Sequence, residues 1–337
     1  MSDQYAEMEL RTSPHLAKGI GVEVIMRNVV VAMLPLVVMA IYLFGLSALM
    51  MILVATVSAL LTERVICRIS GKPGTLGDYS AAITGLLLGL TLPPGFPLWM
   101  TAVGGIVSIA LGKSLFGGLG FNLFNRALVG RAFLQAAFPV AITTWSSPLL
   151  GNRFVEIIPS TLALPLMKSL SDTATGATPL AALKFEGKLA TTNDLVIGLV
   201  SGSAGETSAV LILLCGLYLA LRRMLDWRIP FGILLTVALL SGFFHWFFEG
   251  YPSPWFMLTS GGLMLGAVFM ATDMVTSPVT PLGVWLFAIL IGGLTVVIRL
   301  WGGLPEGVMY AILVANGLSP LLNQVTQPRV YGTGKRS

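Results

Sequence analysis

The sequence predicts an all-α integral membrane protein of about ten transmembrane helices, arranged as two inverted five-helix repeats with broken helices. Three observations carry that expectation: scarce charge, ten apolar runs, and basic residues gathered on one side of the resulting topology. Of 337 residues, 55% are hydrophobic and 10% are charged, and mean hydropathy is +0.86. Soluble domains carry about 25% charged residues. A chain this poor in charge cannot clothe a water-facing surface, so lipid must cover much of it.

The runs are read against a bilayer-spanning length of about 17–25 residues. The first five lie at 25–44, 46–66, 79–93, 97–112 and 126–145. Arg64, Arg68 and Lys72 close the second run, and Pro93, Pro94 and Pro97 break the chain after the third. Lys113 and a glycine-rich turn follow the fourth, and the fifth carries Arg126 and Arg131. A polar stretch, 146–206, comes next. Its apolar piece 194–200 is too short to cross and is expected on the membrane surface or as a re-entrant piece. The last five runs lie at 207–221, 229–248, 255–271, 282–299 and 306–324. The expected division is a cytoplasmic N-terminal segment (1–24), a first repeat (25–145), an outer loop (146–206), a second repeat (207–324) and a cytoplasmic tail (325–337).

Charge placement supports this count. With the N-terminus in the cytoplasm, fifteen of the twenty Lys and Arg fall inside, and only Arg153, Lys168, Lys184, Lys188 and Arg299 fall outside. Positive residues favour the cytoplasmic side, so both termini are expected there and loop 146–206 outside. The net charge of +5 forms no basic stripe, so no nucleic-acid partner is expected. The polar opening Met1-Ser2-Asp3-Gln4 does not read as a cleavable signal. Cys67 and Cys215 are too few and too far apart for an iron–sulfur or metal site.

The two halves echo one another. Gly85-Leu86-Leu87-Leu88-Gly89 and Gly262-Leu263-Met264-Leu265-Gly266 each precede a proline-containing break, an apolar helix, a glycine-rich turn and a last helix with Asn125 or Asn316. An odd number of crossings per half reverses the second copy, as in inverted-repeat membrane proteins.

Loop 146–206 holds Asp172-Thr173-Ala174-Thr175-Gly176-Ala177-Thr178. Asp, Thr and Gly bend loops everywhere, so a plain turn is one reading. The fuller pattern Asp-x-x-(Ser/Thr)-Gly-Ala-Thr arises by chance in roughly one chain in a thousand at average composition. It places the Thr178 hydroxyl beside residues of almost no bulk, as an enzyme attaching a phosphate-bearing group requires.

The heptapeptide resembles the acceptor motif of flavin transferases, which move FMN from FAD onto the last threonine as a phosphoester. The resemblance implies that Thr178 is the acceptor, that Gly176 and Ala177 make room for the transferase, and that Asp172 and Thr175 match the other fixed positions. Further stretches, Ala127–Phe133, Gly205–Ser208, Phe269–Pro278 and Arg299–Gly307, extend the likeness over nearly the whole chain. Together they resemble the RnfD/NqrB family. Its RnfD branch belongs to Rnf ion-translocating oxidoreductase complexes. The more distant NqrB branch belongs to the sodium-pumping NADH:quinone reductase. The family implies one covalent FMN, a second noncovalent flavin in some members, and electron transfer between ferredoxin and NAD coupled to Na⁺ or H⁺ movement. It also implies a bacterial inner-membrane location, with Thr178 in the periplasm. The implied partners are a second covalent-FMN subunit, iron–sulfur subunits and, during maturation, the flavin transferase. The chain has neither an iron–sulfur cysteine set nor a Gly-x-Gly-x-x-Gly, so it is not expected to act alone.

Polar residues within the apolar runs are the remaining candidates. Asp273, after Thr272 and before a proline-interrupted loop, reads either as part of an ion path or as an interfacial cap; Asp78 carries the same two readings. Glu206 reads as a helix-start cap or as a flavin or ion contact, and Glu306 shares that ambiguity. Arg131 either pairs with a carboxylate, phosphate or flavin, or snorkels to the interface, and snorkelling is the expectation. His245 lies among aromatic residues with only His15 elsewhere, so it is expected to be a packed or interfacial residue, not a haem ligand. The fifteen Met read as packing residues. Two other functions fit the same pattern: a secondary transporter or channel, and a purely structural membrane anchor.

Overall fold

A computed structural model describes residues 21–71, 75–165, 167, 176–187, 194–195, 198–206 and 208–328. In chain order the helices are α1 (Val22–Phe44), α2 (Leu46–Ile69), α3 (Ser80–Thr91), α4 (Leu98–Ile109), α5 (Arg126–Ala137) and α6 (Pro139–Ile142). There follow α7 (Pro179–Ala181), α8 (Ala209–Leu221), α9 (Arg228–Phe247), α10 (Pro254–Thr259), α11 (Leu263–Leu265), α12 (Pro281–Trp301) and α13 (Val308–Val325). Wider π turns extend α4 through Ala110–Ser114, α7 through Ala182–Glu186 and α11 through Gly266–Met270. No strand is present among the described residues.

Among the described residues, five helices are long and apolar enough to cross a membrane: α1, α2, α9, α12 and α13. Shorter apolar helices lie at Ser80–Thr91, Leu98–Ser114 and Ala209–Leu221. The protein is therefore an all-helical, multi-pass membrane protein. Its exposed Val38, Leu61, Leu239 and Leu321 face outward, where lipid makes apolar exposure harmless.

Two expected runs are not single helices. The run at 126–145 stops at Ala137, because Pro139 cannot continue the ladder and starts α6 instead. The run at 255–271 divides at Gly261, which adopts φ +64, into α10 and the α11 segment. Helix α3 spans only 12 residues, about 18 Å at the usual rise. Ten of those residues are buried, so α3 is a half-length helix inside the protein.

The break after α3 places the rest. The Leu90 carbonyl would ordinarily accept from residue 94, but Pro94 has no N–H. It accepts instead from Gly205 N at 2.7 Å, and Leu92 O accepts from Ala204 N at 3.1 Å. Ser160 Oγ donates to Gly95 O at 2.7 Å. Both ends of the 146–206 loop are thus tied to the broken helix.

Gly85 and Gly89 form the face of α3 that meets α2. A Cβ on Gly85 would collide with Thr56, and one on Gly89 would lie 2.9 Å from Ile52 Cα. Close approach through small residues is how helices pack in lipid. The second Gly-x-x-x-Gly does different work: Gly266 meets Val308, and Gly262 faces the Glu206 carboxylate. Asn125 caps α5, whereas Asn316 is buried within α13. The paired motifs of the two halves therefore make different local contacts.

At one end of α2, Lys113 in the α4 π turn is bonded to Glu63 at 2.6 Å, Asp78 at 3.3 Å and Ser80 at 2.6 Å. Lys113 and Glu63 are both almost fully buried. Lys113→Ala takes the cation from the buried Glu63 carboxylate and leaves it only the Thr75 hydroxyl, which costs on the order of 3–5 kcal/mol. The thermal midpoint of the purified variant is expected to fall, and adding Glu63→Gln to restore part of the loss.

Candidate functional site

Thr178 ends the described part of the heptapeptide; Asp172 and Thr175 lie outside the described residues, as does His15. Three contacts hold this segment. Gly176 N donates to Trp145 O at 3.0 Å. Thr178 Oγ1 caps α7 by accepting from Ala181 N at 3.2 Å. Lys184 donates to the Arg299, Gly302 and Leu304 carbonyls, closing the C-terminal end of α12 with a cation where the helix dipole favours one. Leu180, Leu195 and Phe256 form a small core beneath. From the 194–200 piece, Leu195 contributes to this packing.

Above this segment is a cavity of about 540 Å³. Its wall contains Gly176, Ala177 and Thr178, the aromatic residues Trp145 and Phe185, Gln135 and, at one end, Arg131 and Glu306. A Cβ at Gly176 would collide with the Ser201 side chain, so the loop can lie this close only with glycine there.

Arg131 does not snorkel. It is buried in α5, with Nη1 bonded to Glu206 Oε1 at 2.8 Å and Nη2 to Glu306 Oε2 at 2.9 Å. Local sequence supplies the reason only in part. Arg131 lies on the buried side of α5, and the two distant carboxylates arrive through tertiary structure. Glu206 comes from the strip pinned to Leu90 and Leu92, not from a helix cap; Ser208 caps α8 through Leu211 N. Glu306 comes from the α12–α13 turn. A Cβ on Gly262 would overlap the Glu206 carboxylate, so the glycine break before α11 supplies its space.

Arg299 stands behind this pair. It donates to Met257 O at 2.5 Å and Ser260 O at 2.9 Å, satisfying carbonyls left open at the end of α10. Burial and the neighbouring Glu206 push Glu306 up to about 7, against the pull of Arg131 and Arg299.

The three residues expected on an ion path do not meet. Thr272 and Asp273 line a cavity of about 50 Å³ with Asn125 and Arg126. Asp273 Oδ2 and Arg126 Nη1 are buried there with no hydrogen-bond partner among the described residues. Asp78 lies instead in the Lys113 cluster, where it also caps α3 through Ser80 N at 2.7 Å. Asn125 ties the small cavity to the π turn: Nδ2 donates to Met270 O at 3.0 Å while Oδ1 accepts from Ala127 N. Lys113, Arg126 and Arg299 were legible only as orientation charges, and Glu63 was not singled out. Lys113 meets Glu63 across 50 residues and Arg299 meets Met257 across 42, beyond any local pattern. His245 is exposed, with Nδ1 2.8 Å from Tyr251 O.

These features define a class: a multi-pass helical membrane protein whose loop closes a sizeable cavity over buried, paired charges. Residues 9–332 match the model of the NQR2, RnfD, RnfE family, and the chain belongs to that family. Three relatives are named as subunits of ion-translocating oxidoreductase complexes. The chain is 42% identical over 332 residues to one from the Na(+)-translocating ferredoxin:NAD(+) oxidoreductase complex of Acetobacterium woodii, covering 97% of this chain and 96% of that one. It is 40% identical over 339 residues to one from the proton-translocating ferredoxin:NAD(+) oxidoreductase complex of Clostridium ljungdahlii, covering 96% of both. The third, from the ion-translocating oxidoreductase complex of Stutzerimonas stutzeri, is 41% identical over 334 residues, covering 94% of both.

A pH dependence follows from Glu306. An ordinary glutamate releases its proton near 4.5, and folded Glu306 near 7. Between these values the folded chain binds more protons than the unfolded one, so stability falls as pH rises through that window. Thermal unfolding of the purified protein across that range is expected to show this decline, flattened in Glu306→Gln.

Proposed function

We propose that this chain is the membrane subunit of an ion-translocating oxidoreductase complex, carrying one FMN esterified to Thr178. The complex couples electron transfer between ferredoxin and NAD to Na⁺ or H⁺ movement. The observation that carries the reading is Thr178 in the wall of the 540 Å³ cavity, in a chain whose full-length relatives bear oxidoreductase names.

The residues present fit a flavin. Cavities of about 300–1,000 Å³ hold ligands of this size. Thr178 offers the oxygen for a phosphoester. Gly176 and Ala177 keep the approach free of bulk, Trp145 and Phe185 offer aromatic surface to a planar ring, and Gln135 offers hydrogen bonds. Bound there, FMN supplies one-electron transfer between carriers of different kinds. The protein's part is to hold it: Lys184 locks the loop onto α12, and Arg131 sets a positive charge at the cavity end, tempered by its two carboxylates. The remaining electron carriers belong to other subunits, including a second covalent-FMN subunit and iron–sulfur subunits, and a flavin transferase makes the attachment.

For the ion path, Thr272 and Asp273 are better placed than Asp78, because Asp78 is already committed to Lys113 and Ser80. A second, noncovalent flavin is assigned no residues. The chain is taken to form two inverted five-helix halves, with Thr178 on the periplasmic side of a bacterial inner membrane.

Denaturing gels of protein from a transferase-containing host are expected to show a band fluorescent under ultraviolet light, absent in Thr178→Ala. Mass spectrometry should place the added FMN on the peptide spanning Thr178. An unmodified peptide removes the flavoprotein reading and favours a transporter or a structural anchor. Reporter fusions that fluoresce only in the cytoplasm are expected to be bright at the C-terminus and dark in the 146–165 segment; the reverse pattern sinks the orientation.

A further inference from the structure

Arg131 separates two spaces. On one side is the cavity walled by Thr178; on the other is a void of about 20 Å³ bordered by Glu206, Glu306, Leu128 and Met270, so Glu306 lines both spaces and Glu206 only the void. Each carboxylate holds a different nitrogen of the guanidinium. Their surroundings are unequal. The Glu206 side chain is 4% exposed, sealed beneath Gly262, with Oε2 unpartnered among the described residues. The Glu306 side chain is 19% exposed and reaches the large cavity. Of the two, Glu306 is the one with a route by which protons enter and leave.

Of the other charged or titratable groups around Glu306, the two cations are engaged by backbone carbonyls. Arg299 is spent on the Met257 and Ser260 carbonyls, and Lys184 on those of Arg299, Gly302 and Leu304. Glu186 lies on the cavity wall as a second carboxylate. Tyr310, on α13, is half-buried near Arg131. Two carboxylates therefore share one guanidinium in a desolvated site. Any negative charge added to the cavity meets Glu306 beside a cation that is already shared.

Resting on the reading that FMN is held at Thr178, we infer that Glu306 is the cavity's redox-linked proton acceptor. When one electron arrives from a one-electron carrier of the complex, Glu306 takes one proton from cavity water. Its carboxylate becomes a carboxylic acid, so the negative charge gained by the cavity is matched by one lost at Glu306. Arg131 keeps its ion pair with Glu206 and only a neutral hydrogen bond to Glu306. When the electron leaves, the proton returns to water. Burial already holds Glu306 near 7, so the proton is exchangeable close to neutral pH.

Redox-difference infrared spectroscopy on the assembled complex tests this. The reduced-minus-oxidised spectrum is expected to gain a carboxylic-acid C=O band that shifts downward in D₂O. The band should vanish in Glu306→Gln, move in frequency in Glu306→Asp, and persist in Glu206→Gln. A band unchanged in Glu306→Gln, or lost in Glu206→Gln alone, overturns the inference. So does a wild-type complex with a fluorescent flavin and no infrared band. If Glu306→Gln does not assemble, Glu306→Asp decides: a band at the wild-type frequency overturns the assignment. Wild-type protein that stays dark on the denaturing gel removes the attachment at Thr178 itself, which is a separate failure.

Discussion

The shared guanidinium of Arg131 is the constraint on which the rest of the structure depends. A charge this deep in a low-dielectric protein is tolerated only with partners in good geometry. Glu206 and Glu306 meet that need, and they come from segments 75 and 175 residues away. Everything that positions those two carboxylates is therefore under strong requirement. The cost of desolvating the pair is offset only if the α3 break, the 201–206 strip and the α12–α13 turn all arrive together.

Helix breaks do that positioning. Pro94 withholds a donor, and the Leu90 carbonyl it leaves open receives Gly205. Gly261 and Gly262 end α10 without side chains, which frees the volume filled by the Glu206 carboxylate. The carbonyls exposed at the α10 end are taken by Arg299, and those at the α12 end by Lys184. The ends of α3, α10 and α12 thus hand unsatisfied backbone groups to distant segments, and in lipid such groups must find a partner inside the protein. The loop bearing Thr178 is docked by the same means, so the buried ion pairs and the cavity wall form one assembly.

Much of the architecture was legible because the bilayer imposes simple rules. Apolar length marked α1, α2, α9, α12 and α13, and prolines marked the end of α3. Thr178 was singled out by a local seven-residue pattern, and the structure sets it in a cavity wall. Arg131, Glu206 and Glu306 were each visible as buried or near-buried charges, yet their union was not. Snorkelling and helix capping are local expectations, and they failed because the true partners are long-range. The pairing of Lys113 with Glu63 was likewise out of reach, because the π turn in α4 brings Lys113 to a carboxylate 50 residues away.

Sequence by itself determined the class of solvent and the rough limits of the long apolar helices, and it singled out one hydroxyl as the expected attachment point. Those follow from composition, period and short motifs, which act over a few residues. Only tertiary structure decided which charges neutralise one another, which small residues make room for them, and that Thr178 opens onto the same cavity as Arg131 and Glu306. The physical reason is that electrostatic pairing and cavity shape depend on distances across the fold, and a one-dimensional pattern does not contain those distances.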